Sequence, residues 1–132
     1  MDRKTAVALS FLLLRIMAGL LFCFAGTTKV FGWFGGIPPA GEPAPIMSQL
    51  WIGGLLQVFG GLLITLGLFT RPMAFILSGE MAVVYFQFHS PHGFLPIQNH
   101  GEVAVLFCFL FLYLAAHGGG AWSVDAMRHN EV

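Results

Sequence analysis

The fold is decided by residues 6–31, whose sequence is AVALSFLLLRIMAGLLFCFAGTTKVF. A helix needs about 20 mostly apolar residues to cross the hydrocarbon core of a bilayer. This stretch exceeds that length, and its charged residues are Arg15 and Lys29. The apolar run is too long for a secretory signal and ends in no small-residue cleavage site. The sequence therefore predicts a retained first membrane-crossing helix.

Three further apolar segments follow and predict a four-transmembrane-helix bundle. They span residues 50–69, 73–88 and 101–116. A loop rich in glycine and proline at 32–49, a polar turn at 70–72 and an irregular loop at 89–100 separate the segments. Of the 132 residues, 57% are hydrophobic and 9% are charged, whereas soluble domains average about 25% charged residues. We therefore expect an all-α fold in which residues 1–132 form a single domain.

Positive residues near the helix ends set the expected orientation. On one side of a four-crossing chain lie Arg3, Lys4, Arg71 and Arg128. Lys29 is the positive residue near the other side. Because positive residues are enriched on the cytoplasmic side, we expect both termini to be cytoplasmic. The formal net charge of zero gives no reason to expect nucleic acid as a partner.

Each predicted helix carries its polar residues on one face, because positions three, four and seven apart lie together. In the first helix this face holds Arg15, Gly19, Phe22, Gly26 and Lys29. The later faces hold Gln57 with Gly53, Gly54, Gly60, Gly61 and Gly67; Glu80 with Val84 and Gln87; and Glu102 with Phe109 and Tyr113. Glycines allow close backbone approach, so we expect close helix contact at Gly60 and Gly61. Four such faces imply a shared polar interior.

The charged residues inside the helices match in depth as pairs of opposite sign. Arg15 and Glu80 each lie about nine residues inside the cytoplasmic end of a helix, at about 1.5 Å per residue. Lys29 and Glu102 both lie near the outer boundary. An isolated charge within the membrane costs at least a few kcal/mol, so we predict both pairs. Arg15–Glu80 is either a structural ion pair or part of a functional site, and Lys29–Glu102 is expected to be structural.

Histidines and cysteines provide further candidate groups. The second loop and its end contain His89, His92 and His100, which zinc, copper or iron accepts as ligands. Their spacing fits no standard motif, so we predict no bound metal. Cys23 and Cys108 lie at similar depth and are interpreted as inert apolar fillers, with a redox pair as the alternative.

The residues resemble those of the DoxX family of bacterial four-helix membrane proteins over nearly the whole chain. The matching motifs are Arg15-x3-Gly19-x2-Phe22-x3-Gly26-x2-Lys29, Gly67-Leu68-Phe69-Thr70-Arg71, Gly79-Glu80-Met81-Ala82, Asn99-His100-Gly101-Glu102 and Trp122-Ser123-Val124-Asp125. His100 stands where the family usually has glycine, and Gln57 stands where relatives often carry an acidic residue. The resemblance implies a multi-pass protein of the bacterial inner (cytoplasmic) membrane that contacts lipid and has a protein partner or forms a homo-oligomer.

The resemblance also implies a function, because the family takes its name from a membrane subunit associated with thiosulfate:quinone oxidoreductase. We therefore expect a subunit of a redox complex linked to sulfur or oxidative-stress metabolism, with a quinone as candidate cofactor. Arg15 and Gln57 would supply donors to the quinone carbonyl oxygens, and Glu80 would exchange protons. The alternative is a non-catalytic anchor or assembly subunit, in which the charges serve packing and Gln57 is an interhelical hydrogen bonder. The sequence has no CxxC pair and no haem or dinucleotide motif, so a redox role requires a partner that carries electrons.

Overall fold

The computed structural model describes residues 1–130, apart from the side chain of Asn130, and this part of the chain is helical. In chain order its elements are α1 (Arg3–Phe31), a 3-10 turn (Trp33–Gly35), α2 (Gln49–Leu66), α3 (Thr70–Val84), a π-helical turn (Tyr85–His89), a second 3-10 turn (Ser90–His92), α4 (Pro96–Asn99), α5 (Glu102–His117) and α6 (Val124–Asn130). Within residues 1–130 the β-type pairing is a single isolated bridge between Ile37 and Glu42. The all-α prediction is confirmed.

The N-terminus of α1 is capped by a side chain. Helix α1 begins three residues before the predicted start, because the Asp2 side chain accepts a hydrogen bond of 2.8 Å from the Thr5 backbone N–H. That bond satisfies one of the N–H groups that a helix leaves without a partner in its first turn. Hydrogen bonds from the side chain and backbone of Thr5 also lower the pKa of the Asp2 carboxyl.

The connection between α2 and α3 comprises residues 67–69, three residues earlier than the sequence suggested. Helix α2 ends at Leu66 because Gly67 adopts a left-handed conformation, with φ of 70°. The N–H groups of Gly67 and Leu68 then bond back to the carbonyls of Ile64 and Leu63, which closes the helix end. Residues 70–72, predicted as a turn, instead form the first turn of α3, where a proline needs no N–H partner. That part of the prediction is wrong.

Contacts divide the chain into two compact units. The first unit comprises Met1–Phe69 and the segment that starts at Gly119, and the second comprises Thr70–Gly118. Helix α1 packs on α2 in the first unit, and α3 packs on α5 in the second. The expectation that residues 1–132 form a single domain stays a prediction.

Glycines bring the backbones of α1 and α2 together at two levels. Gly19 faces Gly61, and seven residues further along α1 Gly26 faces Gly54, so the two helices run antiparallel. A Cβ atom added at Gly19 would lie 2.6 Å from the Gly61 carbonyl oxygen, and one added at Gly61 would lie 2.6 Å from that of Gly19. No side chain fits between carbonyls at that spacing. The close contact predicted for Gly61 is confirmed.

The buried faces match the prediction in the first unit better than in the second. Helix α1 buries Arg15, Gly19, Phe22 and Gly26, and α2 buries Gly54, Gln57, Gly60 and Gly61. In α3 the predicted face is at most half-buried, and the buried residues are Thr70, Ala74, Leu77, Ser78 and Met81.

The face predicted for α5 is wrong. Phe109 and Tyr113 were expected inside but are 63% and 53% exposed. Its buried residues are Ala104, Phe111 and Leu114. This helix is apolar on all sides, so its few polar side chains do not mark the face that packs.

Two of the helices, α1 and α2, are long and apolar enough to cross a bilayer, and α5 is a shorter apolar helix.

Candidate functional site

The guanidinium of Arg15 is the most heavily engaged polar group of the first unit. Arg15 is 2% exposed, and four backbone carbonyl oxygens accept hydrogen bonds from it. Nε donates to Ile64 at 3.0 Å and Nη2 donates to Thr65 at 3.3 Å. Nη1 donates to Gly119 at 2.5 Å and to Trp122 at 3.1 Å. One side chain of α1 therefore joins the end of α2 to the C-terminal segment.

The first two acceptors explain how a charge is tolerated at this depth. Ile64 and Thr65 lie in the last turn of α2, where carbonyls lack the usual helical N–H partner four residues later and the helix dipole concentrates negative charge. The guanidinium therefore caps the C-terminus of α2. The carboxylate of Asp125 adds a favourable electrostatic interaction with Arg15. A buried cation is stabilised here by backbone dipoles and a carboxylate from the C-terminal segment.

The C-terminal segment is held against α2 by its own contacts as well. The Asp125 N–H donates to the Gly67 carbonyl at 2.9 Å, and the Asp125 carboxylate accepts from the Phe69 N–H at 2.8 Å. The Arg128 guanidinium lies 4.8 Å from the centre of the Phe69 ring, within cation–π range. We call Arg15, residues 64–69 and residues 119–128 the Arg15 clamp.

Gln57 and Lys29 form a separate polar contact towards the other end of α1. Lys29 Nζ donates to Gln57 Oε1 at 3.0 Å and to the Ala25 carbonyl at 3.3 Å. Lys29 lies 14 positions after Arg15, about 21 Å along the helix. The structure therefore joins Gln57 to Lys29 and not to Arg15. The contact is one between helices, as expected of an interhelical hydrogen bonder.

A second polar network in residues 85–101 was not foreseen. Asn99 is 4% exposed, and its amide donates to the Tyr85 hydroxyl at 3.2 Å and to the Gly93 carbonyl at 2.6 Å. The Tyr85 hydroxyl in turn donates to the Phe94 carbonyl. His89 Nδ1 lies 3.1 Å from the Asn99 carbonyl oxygen. These bonds tie the π-helical turn to the loop that follows it.

The sequence carried only a partial signal for these residues. Asn99 was recognisable as a family-like position, but nothing in the sequence showed that it touches Tyr85. The acceptors around Arg15 are backbone carbonyls, which leave no mark in a sequence. The tail motif ending in Asp125 was the one visible hint of the Arg15 clamp.

The remaining predicted residues are not gathered into one site. Glu80 is half-buried on α3, and Glu102 is exposed at the start of α5. Both lie in the second unit, whereas Arg15 and Lys29 lie in the first. The Arg15–Glu80 and Lys29–Glu102 pairs therefore stay predictions.

The histidine loop and the cysteines add no further cluster. His92 and His100 are exposed and His89 is half-buried. Among residues 1–130 no group of three or more histidine, cysteine or acidic side chains is placed to hold a metal ion. The expectation that no metal binds stays a prediction. Cys23 and Cys108 belong to different units, and each lies within 3.5 Å of an oxygen atom of its own unit.

An all-helical chain with long apolar helices and a charge held inside one of them is typical of an integral membrane protein. The model of the DoxX family matches residues 10–90. The chain is 40% identical to an uncharacterized protein of Haemophilus influenzae, over 85% of each chain. It is 32% identical to the inner membrane protein YqjF of Escherichia coli, over 91% of this chain and 92% of that protein. No solved structure matches. The chain belongs to the DoxX family of membrane proteins.

Proposed function

We propose that the chain is a non-catalytic anchor or assembly subunit of a larger complex in the bacterial inner membrane. The observation that most supports this is that backbone carbonyl oxygens accept the four hydrogen bonds donated by the Arg15 guanidinium. These hydrogen bonds hold helix segments together, so the role of the guanidinium is structural. Binding a substrate with it would break these bonds and leave buried carbonyl oxygens without a donor, which is costly. In the same helix pair, the backbones of Gly19 and Gly61 are too close for even a methyl group to fit between them.

The proposal includes four membrane crossings, with both termini in the cytoplasm. Helices α1 and α2 contain 29 and 18 residues, about 43 Å and 27 Å of helix, against a hydrocarbon core of about 30 Å. Helix α3 has 15 residues and the π-helical turn extends it by 5. Helix α5 has 16 residues, most of them apolar. Four crossings put Arg3, Lys4, Arg71 and Arg128 on one side, which the positive-inside rule makes cytoplasmic.

Cysteine labelling tests this topology. In a chain with Cys23→Ala and Cys108→Ala, single cysteines are introduced as Ala40→Cys, Gln98→Cys and His129→Cys at exposed positions. A membrane-impermeant maleimide should label the first two in intact cells and the third only after the membrane is broken. Labelling of His129→Cys in intact cells would overturn the proposed orientation.

Purification from native membranes tests the assembly role. A tagged chain of 14.4 kDa should migrate in mild detergent within a larger complex of fixed composition. The complex should also form in cells that make no quinone, because an anchor needs no redox cofactor. A chain that purifies as a single copy, with no partner after gentle cross-linking, would contradict the proposal.

The second candidate is a quinone-interacting subunit of a redox complex linked to sulfur or oxidative-stress metabolism, and the observation favouring it is the geometry of His89. The Asn99 carbonyl can only accept a hydrogen bond, so the neutral His89 ring carries its proton on Nδ1. Its Nε2 is then an acceptor, suited to a proton from a quinol hydroxyl. π-Helical turns are frequent at functional sites. In this candidate a partner protein receives the electrons. The predicted quinone contacts of Arg15, Gln57 and Glu80 belong to the same candidate.

Quinone extraction separates the two candidates. Protein purified in mild detergent is compared as wild type, His89→Gln and His92→Gln, where His92 is an exposed histidine of the same segment. The quinone candidate requires bound quinone that is lost with His89→Gln and retained with His92→Gln. If none of the three proteins carries quinone, the anchor role stands alone.

A further inference from the structure

The chain turns back on itself immediately after α1. Gly32 has a left-handed φ of 74°, and Phe34, within the 3-10 turn that follows, has a φ of 56°. This conformation folds the Phe34 ring back to 5.5 Å from the ring of Phe24, which lies ten positions earlier. The Trp33 ring lies 5.1 Å from that of Phe31. We call these four residues the aromatic collar.

The aromatic collar is both apolar and exposed. The exposed fractions of Phe24, Phe31, Trp33 and Phe34 are 48%, 55%, 56% and 72%. A positive φ at a bulky residue costs on the order of 1 kcal/mol. At Phe34 this conformation leaves the ring largely exposed. A water-exposed ring would gain nothing from that strain, so a nonpolar environment around it accounts for the conformation better.

The rest of the loop stays close to the end of α1. The Ala44 N–H donates to the Lys29 carbonyl at 2.7 Å, and Ala44 is 4% exposed. The Ile37 N–H donates to the Glu42 carbonyl at 3.0 Å. Glu42 is the one charged residue in 32–48, and the loop also exposes Ile46 and Met47. A folded, nearly uncharged loop with exposed apolar side chains suits the boundary of a bilayer.

We propose that the aromatic collar is a lipid-binding element that inserts into the outer leaflet at the boundary between headgroups and acyl chains. The proposal rests on the four-crossing topology above. Phe24 and Phe31 belong to the exposed, lipid-facing side of α1, and their ring contacts make Trp33 and Phe34 a continuation of that surface. The Trp33 indole supplies a ring for the acyl boundary and an N–H for a headgroup oxygen. Phospholipid, rather than a protein, is therefore the occupant.

Tryptophan fluorescence tests the proposal in the intact chain. Trp51→Phe and Trp122→Phe leave Trp33 as the only indole, and the protein is reconstituted in phosphatidylcholine and phosphatidylglycerol vesicles. Lipids brominated near the headgroup end of the acyl chain should quench Trp33 strongly, lipids brominated near the chain end should quench it less, and aqueous iodide should quench it weakly. The variant Phe34→Gly fits the positive φ and removes the ring, so the quenching by brominated lipid should be largely lost.

Two results would overturn the aromatic collar as a lipid anchor. Strong quenching by iodide without quenching by brominated lipid would place Trp33 in water. Insensitivity to both quenchers would place it under protein, for example a second copy of the chain. The Ala40→Cys label reports the topology independently, because it reads the side of the membrane on which the loop lies. A failed label overturns the topology, whereas a normal label with either quenching result above overturns the lipid anchor alone.

Discussion

The two helix pairs of this protein are packed by different means. In α1 and α2 the backbones touch through glycines, and polar side chains lie beside the contact. In α3 and α5 the packing uses side chains such as Leu77 and Phe111, both fully buried. For Gly79 of α3, no heavy atom of the described residues outside the adjoining part of that helix lies within 4 Å of where a Cβ would be. A glycine in an apolar helix therefore indicates close backbone approach only where a neighbouring helix lies against it.

The largest expected effect comes from filling the glycine contact. Gly61→Leu places a side chain where a Cβ alone would lie 2.6 Å from the Gly19 carbonyl oxygen, so the helices must separate. We expect a loss of at least about 3 kcal/mol, measured as a fall in thermal stability in detergent. Gly79→Leu is the matched control and should fold normally. Equal losses of stability for the two variants would show that the two helix pairs do not differ in how their glycines pack.

The next effect concerns the Arg15 clamp. Arg15→Met keeps an unbranched side chain but lacks the guanidinium, so it removes four hydrogen bonds and takes that donor away from the carbonyl oxygens. A destabilisation of about 2–3 kcal/mol is expected. Hydrogen exchange should rise in residues 119–125 and stay unchanged in α5.

Glu80→Gln sharpens this experiment, because it addresses the predicted Arg15–Glu80 pair. If backbone carbonyls satisfy Arg15, the effects of Arg15→Met and Glu80→Gln on unfolding should add. A coupling energy above about 0.5 kcal/mol in a double-mutant cycle would show instead that the two charges interact.

The smallest effect is expected in the second unit. Tyr85→Phe removes the hydroxyl that links Asn99 to the Phe94 carbonyl, at a cost of about 1 kcal/mol. Tyr113→Phe is the control, since Tyr113 is 53% exposed. Faster hydrogen exchange in residues 93–101 for Tyr85→Phe alone is the expected result, and equal exchange in both variants would remove the network as a stabilising feature.

The approximate positions of the long helices could be predicted from the sequence, because apolar segments of sufficient length are separated by glycine and proline residues that break helices. The α1 face was also predictable, since Arg15, Gly19 and Gly26 are conspicuous in an apolar helix. The packing face of α5 was not predictable, because the side chains that seemed to mark it are exposed rather than buried against α3. The start of α3 at Thr70 depended on the left-handed Gly67, which ends α2 early and moves the connection three residues before the predicted polar turn.

The candidate site was less predictable than the fold for a physical reason. A sequence shows only side chains, and the side-chain partner that it offers for an arginine is a carboxylate. The structure supplies carbonyl oxygens, which every residue carries and no residue type reveals. In contrast, the contact of Lys29 with Gln57 joins two side chains, and both residues had been singled out from the sequence.

The separation of 104 residues between Arg15 and Gly119 has a consequence for the order of synthesis. A ribosome makes α1 and α2 early, when the carbonyls of Ile64 and Thr65 are the only ones of the four acceptors that exist. At that stage the guanidinium has half of its final hydrogen-bond acceptors. The first helix pair is therefore completed only after α3 and α5 have been made, when residues 119–125 dock beside α1.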